Sequence, residues 1–303
     1  MEALEGATEV FRTPDERFGE LPGFPYEPRY VDVDGLRVAV VDEGAGQPVL
    51  MLHGFPTWSY LFRKLIPPIV QAGYRCIAID YVGFGRSDKP TDVDWYTYER
   101  HAEVCRRVVA ELGLRDIVLL GHDWGGAIGL LLATRFPELF DRYILVDTPF
   151  FTGRQTMPDV WWQLHDFLDR EPDPPMERFI EMGCKQRLSA AELAAYVAPF
   201  PNAESKVGAR AFPLRVLPRS PDLPAAKEGW RLLKAMRRDE RPTLIFWGAE
   251  DVIFPLELGQ WVAGALRRDP PIVIRDASHF VPEDQGDHLG AAIVSWLGRP
   301  EGV

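Results

Sequence analysis

The segment Gly121-His122-Asp123-Trp124-Gly125-Gly126 places an acidic side chain among three glycines. It follows an apolar run typical of a buried strand and precedes a helical pattern. Small residues around a central side chain suit a sharp strand-to-helix turn, which in serine hydrolases presents the attacking hydroxyl. A carboxylate in that position can displace a leaving group from a saturated carbon and form an alkyl ester. We therefore predict that Asp123 is a nucleophile, although an isolated Asp in this context is more often a helix N-cap.

Two residues further along the chain could activate the water that hydrolyses such an ester. Asp251 follows one predicted strand and His279 follows the next. A buried carboxylate fixes the tautomer of a histidine, which can then act as a general base. Asp147, at the end of the run "YILVD", is a second candidate for the acid. We favour Asp251 because its "GAED" loop is the more usual context.

A third loop could stabilise the oxyanion that forms when water attacks the ester. His53-Gly54-Phe55-Pro56 follows another predicted strand, and the backbone N–H groups of Phe55 and Trp124 are expected to converge on one oxygen. The side chain of His53 is expected to have a structural role. The substrate is then a small apolar molecule with an electrophilic carbon and a leaving group, either a carbon–halogen bond or an epoxide.

The strands that would carry these residues alternate with helical segments, which predicts a mostly parallel sheet flanked by helices. A β-hairpin is predicted around Asp34-Gly35. Strands are predicted at 49–52, 76–80, 117–120, 143–146, 244–247 and 272–274, and helices at 100–112 and 127–135.

The alternation stops between residues 151 and 240, where proline, aromatic residues and helix formers dominate. We predict that this region is a helical cap over the carboxyl ends of the strands, where ligands bind in such sheets. The core domain would comprise residues 1–150 and 241–303. The alternative is an irregular surface excursion without function.

Composition narrows the class of protein further. The formal net charge of −11 disfavours nucleic acid and anionic membranes as partners. Three cysteines without C-x-x-C spacing indicate neither a disulfide framework nor a zinc site. The sequence predicts no metal and no cofactor, and it contains neither an apolar signal segment nor a run long enough to span a bilayer. We expect a cytoplasmic monomer.

Several segments resemble haloalkane dehalogenases, in the dehalogenase and epoxide hydrolase branch of the α/β-hydrolase superfamily. They are "RTPDERF" (12–18), "HGFPTWSYLFRKLIP" (53–67), "GFGRSDKP" (83–90), "AYVAPFP" (195–201) and "GARAFP" (208–213). The resemblance implies an α/β-hydrolase fold and hydrolysis of haloalkanes to alcohol and halide through an aspartyl ester. It also implies that Asp123 is the nucleophile, His279 the base and Asp251 the acid. An apolar pocket would be lined by Phe212, Pro213, Val216 and Ile253.

The leaving-group site departs from the pattern of that family. Dehalogenases of this group hold the halide between two N–H donors, and Trp124 matches the first. Counted without gaps, Leu164 occupies the place of the second, while Trp161 and Trp162 lie one turn or less away. Trp162 is the candidate for the second donor, and the alternative is that both indoles pack the cap onto the core. His165 and Tyr196 are further candidates for the leaving-group site.

An epoxide hydrolase with the same triad is the alternative function. Phe55 in "HGFP" resembles that group, whereas dehalogenases usually carry Glu or Asn there. A departing alkoxide is a strong base and needs an acid, usually tyrosine, and related epoxide hydrolases carry two in the cap. Here the cap contains only Tyr196, and Phe212 stands where the second would be. The sequence therefore favours dehalogenation. A ligand-binding protein with little turnover is a third reading.

Overall fold

A computed structural model describes residues 9–154, 157, 159–216, 222 and 224–298, with only the backbone described for Arg215, Val216 and Pro224. In this part of the chain the largest sheet has eight strands. Their bounds are Arg29–Val33 (β1), Leu36–Gly44 (β2), Pro48–Leu52 (β3), Arg75–Ile79 (β4), Ile117–His122 (β5), Phe140–Val146 (β6), Thr243–Gly248 (β7) and Ile272–Ile274 (β8).

The strands of this sheet lie in the order β8-β7-β6-β5-β3-β4-β2-β1. All pairs from β8 to β4 are parallel, while β2 pairs antiparallel with both β4 and β1. The central strand β5 is buried along its whole length, as expected for parallel strands covered on both faces. The carboxyl ends of β3, β5, β6 and β7 therefore meet at one edge of the sheet.

Eleven α-helices are described. The helices that alternate with strands or follow the last strand are Ile66–Gln71 (α1), Tyr98–Glu111 (α2), Trp124–Arg135 (α3), Leu256–Leu266 (α9), Val281–Asp284 (α10) and Gly286–Leu297 (α11). Five more lie between β6 and β7 in the chain: Asp159–Arg170 (α4), Met176–Gly183 (α5), Ala190–Val197 (α6), Val207–Val216 (α7) and Pro224–Met236 (α8).

The five helices between β6 and β7 do not all pack in the same place. Helix α4 packs against α7, and α5 packs against α6. Helix α8 instead packs against α3 and α9, which flank the sheet. The predicted cap region, 151–240, thus ends with a helix that lies on the core. The predicted domain boundaries remain a prediction.

The predicted fold class is confirmed: the sheet is mostly parallel and helices flank it. All six predicted strands are present, and the hairpin at Asp34-Gly35 joins β1 to β2. The structure extends two strands by two or more residues beyond one of their predicted bounds. Strand β6 begins at Phe140 rather than residue 143, and β5 continues to His122, directly before the glycine-rich turn.

Within the described residues, the helices are too short or too polar to cross a bilayer. In the same residues, no group of three or more His, Cys, Asp and Glu side chains is arranged to hold a metal ion.

Candidate active site

Asp123 occupies the turn between β5 and α3, with φ 51° and ψ −124°. A positive φ is strained for a residue with a side chain, and close packing around the turn maintains it. A Cβ at position 125 would lie 1.9 Å from the carbonyl oxygen of Leu52, so only glycine fits there. The side chain of Asp123 is held at the carboxyl edge of the sheet, at the N-terminus of α3, as the sequence predicts.

Two backbone N–H groups converge on the Asp123 carboxylate. The N–H of Phe55 donates to Oδ2 of Asp123 at 3.0 Å, and the N–H of Trp124 lies near enough to this carboxylate to lower its pKa. The loop after β3 can approach so closely because residue 54 is glycine. A Cβ added at this position would lie 2.2 Å from Oδ2 of Asp123. The structure thus places both residues predicted for the oxyanion hole beside Asp123, the predicted nucleophile.

His279 lies between two carboxylates. Its Nδ1 is 2.9 Å from Oδ2 of Asp251, and its Nε2 is 4.0 Å from Oδ2 of Asp123. The other oxygen of Asp251 accepts hydrogen bonds from the N–H groups of Ile253 at 2.7 Å and Phe254 at 2.9 Å. These bonds fix the carboxylate, so the imidazole presents Nε2 to Asp123.

The backbone around His279 is held by residues that the sequence did not single out for a role in the site. Nε2 of His122 lies 2.9 Å from the carbonyl oxygen of His279, which it contacts as a donor. The carboxylate of Asp284 accepts the N–H of Ser278 at 2.8 Å. The only sequence signal for His122 was its place beside Asp123 in the turn.

Asp147, the other candidate for the triad acid, follows β6 at a positive φ of 44°. One of its oxygens accepts the N–H of Gly248 at 2.8 Å. The carboxylate that contacts the imidazole of His279 is that of Asp251. The geometry therefore agrees with Asp251 rather than Asp147 as the partner of the histidine.

Burial and mutual charge alter the pKa values of Asp123 and His279. Burial raises the pKa of Asp123 to about 7, although His279 and the N–H groups of Trp124 and Phe55 oppose this rise. Burial by itself lowers the pKa of His279, but the carboxylates of Asp251 and Asp123 raise it above its ordinary value overall. The ion pair of a positive imidazole and an ionised Asp123 is therefore favoured over a state in which only one of the two groups is charged.

A mostly apolar cavity opens above Asp123 and His279. Trp161 and Leu164 of α4 lie in its wall together with Trp124. Trp162 is not among the lining residues, because neighbouring positions on a helix point about 100° apart. Its side chain is half-buried and packs on the core. The complete lining is Phe55, Pro56, Asp123, Trp124, Trp161, Leu164, Phe179, Met182, Gly183, Pro213, Ile253, Phe254, His279 and Phe280.

Of the four residues expected to line the apolar pocket, two lie in the cavity wall and one lies outside it. Pro213 and Ile253 lie in the cavity wall. Phe212 lies outside the wall, where its ring packs edge-on against Trp124 at 6.0 Å. Phe212 and Pro213 are neighbours on α7, and adjacent positions on a helix point about 100° apart, so only Pro213 faces the cavity. The side chain of Val216 lies outside the described residues.

Neither of the other cap candidates lines the cavity. The hydroxyl of Tyr196 donates to Oε2 of Glu283 at 2.6 Å in a fully buried position. His165 packs beside the rings of Trp161 and Trp162. Tyr196 is thus buried away from the cavity, although the sequence made it a candidate for the leaving-group site.

Several lining residues were not predicted as part of the site. Phe179 and Met182 come from α5, and Phe254 and Phe280 come from the loops that hold Asp251 and His279. Amphipathic spacing of apolar residues on α5 is a signal of burial, but it does not distinguish a cavity wall from a packed core.

Comparisons with known proteins agree with this geometry. Residues 47–285 match the model of the alpha/beta hydrolase fold. Haloalkane dehalogenase 1 of Mycobacterium tuberculosis is 40% identical over 302 residues, covering 95% of this chain and 98% of the relative. The haloalkane dehalogenase of Mycolicibacterium paratuberculosis is 37% identical over 301 residues, covering 95% and 98%.

Solved structures show the same relationship. The tetrameric structure of haloalkane dehalogenase DpaA from Paraglaciecola agarilytica has a TM-score of 0.86 at 33% identity, covering 94% of this chain and 97% of that chain. A structure of DbjA has a TM-score of 0.78 at 27% identity, covering 89% and 98%. The chain therefore belongs to the haloalkane dehalogenase family of the α/β-hydrolase fold.

Proposed function

We propose that this protein hydrolyses haloalkanes to an alcohol and a halide through an ester of Asp123. The observation that carries the proposal is a buried carboxylate that accepts the backbone N–H of Phe55, adjoins the N–H of Trp124 and lies 4.0 Å from an imidazole. An oxygen of Asp123 attacks the carbon that bears the halogen, and the carbon–halogen bond breaks as the halide leaves with the bonding electrons. The alkyl group is then bound to Asp123 as an ester.

Water completes the turnover. His279 removes a proton from a water molecule, and the resulting hydroxide attacks the carbonyl carbon of the ester. Negative charge develops on an oxygen of Asp123, where the N–H groups of Phe55 and Trp124 stabilise it. The bond between the carbonyl carbon and the alkyl oxygen then breaks, and the alkoxide takes the proton of the added hydroxyl and leaves as the alcohol. The carboxylate is restored, Asp251 stabilises the positive imidazole during the step, and His279 then releases its proton to solvent.

We propose that the indole N–H groups of Trp124 and Trp161 bind the departing halide. Both rings line the cavity, and neither indole N–H has an acceptor among the described residues. Halide is a weak base, so a donor that never loses its proton is sufficient. Trp161 replaces Trp162 in this proposal because Trp161 lies in the wall.

The rest of the wall suits an apolar chain. Leu164, Phe179, Pro213, Ile253 and Phe254 offer no hydrogen-bonding side chain, so an alkyl group would be bound by burial of apolar surface. All proposed site residues come from one chain, so we propose that a monomer suffices for activity. Among the described lining residues there is no tyrosine to protonate an alkoxide, and this disfavours the epoxide alternative.

The test is incubation of the purified protein with 1-bromobutane and, separately, with styrene oxide. We expect bromide from the first and no diol above background from the second. Asp123→Ala should abolish bromide release, whereas His288→Phe, at an exposed position on α11, should leave it unchanged. Diol without bromide would overturn the proposal in favour of an epoxide hydrolase. Neither product, from a folded protein, would overturn it in favour of a binding protein.

A further inference from the structure

Two buried acids lie side by side behind the imidazole of His279. Asp147 follows β6 and Asp251 follows β7, and these strands are parallel neighbours with Val146 paired to Phe246. The N–H of Gly248, at the end of β7, donates to Oδ1 of Asp147. The carboxylate of Asp251 lies near enough to the side chain of Asp147 to raise the pKa of Asp147 through both its charge and a hydrogen bond. The two candidates for one role are therefore in contact.

The two acids differ in the number of N–H donors that they accept. Asp251 accepts the backbone N–H groups of Ile253 and Phe254 and the ring Nδ1–H of His279. Asp147 accepts only the N–H of Gly248, and its Oδ2 is buried without a donor among the described residues. Two adjacent buried carboxylates strongly disfavour simultaneous ionisation. The negative charge is better stabilised on Asp251, which leaves a proton for Asp147.

We propose that Asp147 keeps its proton at neutral pH and donates a hydrogen bond through Oδ2 to the Asp251 carboxylate. Asp147 is then a positioning residue for the pair of Asp251 and His279, a role that rests on the proposed function. Burial, followed by the negative charge of Asp251, raises the pKa of Asp147 well above its ordinary value. The N–H of Gly248 opposes this rise in pKa without reversing it.

The other ionisable groups around Asp147 and Asp251 come from two segments, the turn with His122 and Asp123 and the loop with His279. Asp251 and Asp123 act directly on Asp147. Beyond Asp251 lies His279, and the imidazole of His122 contacts the backbone of His279. A proton donated by Asp147 spreads part of the Asp251 charge away from the imidazole. Loss of that donor should therefore raise the pKa of His279.

The first experiment measures the proton directly, without any substrate. Protein labelled with ¹³C-aspartate is examined by infrared spectroscopy at pH 8 for the carbonyl band of a protonated aspartic acid. The band should disappear in Asp147→Asn. The matched control is Asp284→Asn, which should leave the band in place, because the buried Asp284 carboxylate accepts N–H groups from Lys185, Gln186 and Ser278. A wild-type spectrum that Asp147→Asn leaves unchanged would overturn the proposal.

The second experiment measures the role of the proton in single turnovers with 1-bromobutane. Asparagine retains an oxygen for Gly248 and an N–H for Asp251, so Asp147→Asn should hydrolyse the ester at nearly the wild-type rate. Its rate should depend on pH as in the wild type. Asp147→Leu removes the donor and should slow hydrolysis about tenfold or more. The acid limb of its pH profile should also move to higher pH, which a purely structural defect would not cause.

The outcomes separate this proposal from the function on which it rests. If Asp147 is ionised in the wild type, Asp147→Asn removes a negative charge and the acid limb moves to lower pH, which contradicts the proposal. Equal slowing by Asn and Leu contradicts it as well. If the wild type releases no bromide, the proposed function fails, while the infrared band still decides whether Asp147 carries the proton.

Discussion

The Nε2 atom of His279 lies 4.0 Å from Oδ2 of Asp123, beyond the range of a direct hydrogen bond. The imidazole is fixed by Asp251 on its other side, so it is poised to activate a water molecule beside the nucleophile. This spacing agrees with a base that acts on the ester of Asp123 and has no part in forming it.

Replacing His279 by Phe should therefore trap the intermediate. Alkylation of Asp123 continues, but no base activates water, so hydrolysis should fall by about 10² to 10⁴. Mass spectrometry of the Asp123 peptide after exposure to 1-bromobutane should show one added butyl group. His288→Phe should show no added mass. Absence of the adduct in a folded His279→Phe protein would argue against the ester.

Oxygen from water should enter the enzyme before it enters the product. In the proposed hydrolysis, water attacks the carbonyl carbon of the ester, so its oxygen remains in the Asp123 carboxylate. A single turnover in ¹⁸O-water should label the Asp123 peptide, and the alcohol should carry unlabelled oxygen. Label found solely in the alcohol would indicate direct attack of water on the substrate.

Trp161→Phe should weaken halide binding. Loss of one hydrogen bond to a charged group costs about 1.5–3 kcal/mol, or roughly tenfold or more in the inhibition constant of bromide. Trp162→Phe is the matched control on the same helix and should change this constant little. A larger effect at Trp162 than at Trp161 would show that α4 presents the other indole to the halide.

Turnover should fall as the pH drops below about 7. The attack requires an ionised Asp123, whose pKa burial raises to about 7. Hydrolysis requires neutral His279, whose pKa is raised overall by its two carboxylates. Both requirements are met at high pH and lost as pH falls. Bromide release measured from pH 5 to 9 tests this, and full activity retained at pH 5 would contradict it.

The raised pKa of Asp123 also predicts how stability depends on pH. This pKa is higher in the folded state than in the unfolded chain, so its stabilising contribution is present below about pH 4 and lost as pH rises through about 7. Asp123→Asn should thus gain stability relative to the wild type as pH rises, by about 1.4 kcal/mol for each pH unit that separates the folded and unfolded pKa values. Thermal unfolding at pH 4 and pH 8 measures the difference. An advantage that shrinks between these values would contradict the assignment.

The sequence determined the nature of the chemistry. An aspartate among glycines after an apolar strand predicted the turn, since few other local structures need that combination. Asp123, Asp251 and His279 each follow a predicted strand, and this predicted that they would meet, because parallel strands end at one edge of the sheet.

Tertiary structure decided the matters that depend on orientation. Trp161 and Trp162 are chemically identical neighbours, and only the rotation of α4 determines which indole faces Asp123. Asp147 and Asp251 both follow strands, and only the count of N–H donors around each carboxylate distinguishes them. Residue type and spacing along the chain thus specified the reacting groups. Their partners across the cavity depend on helix rotation and loop packing, which arise from contacts between segments far apart in sequence.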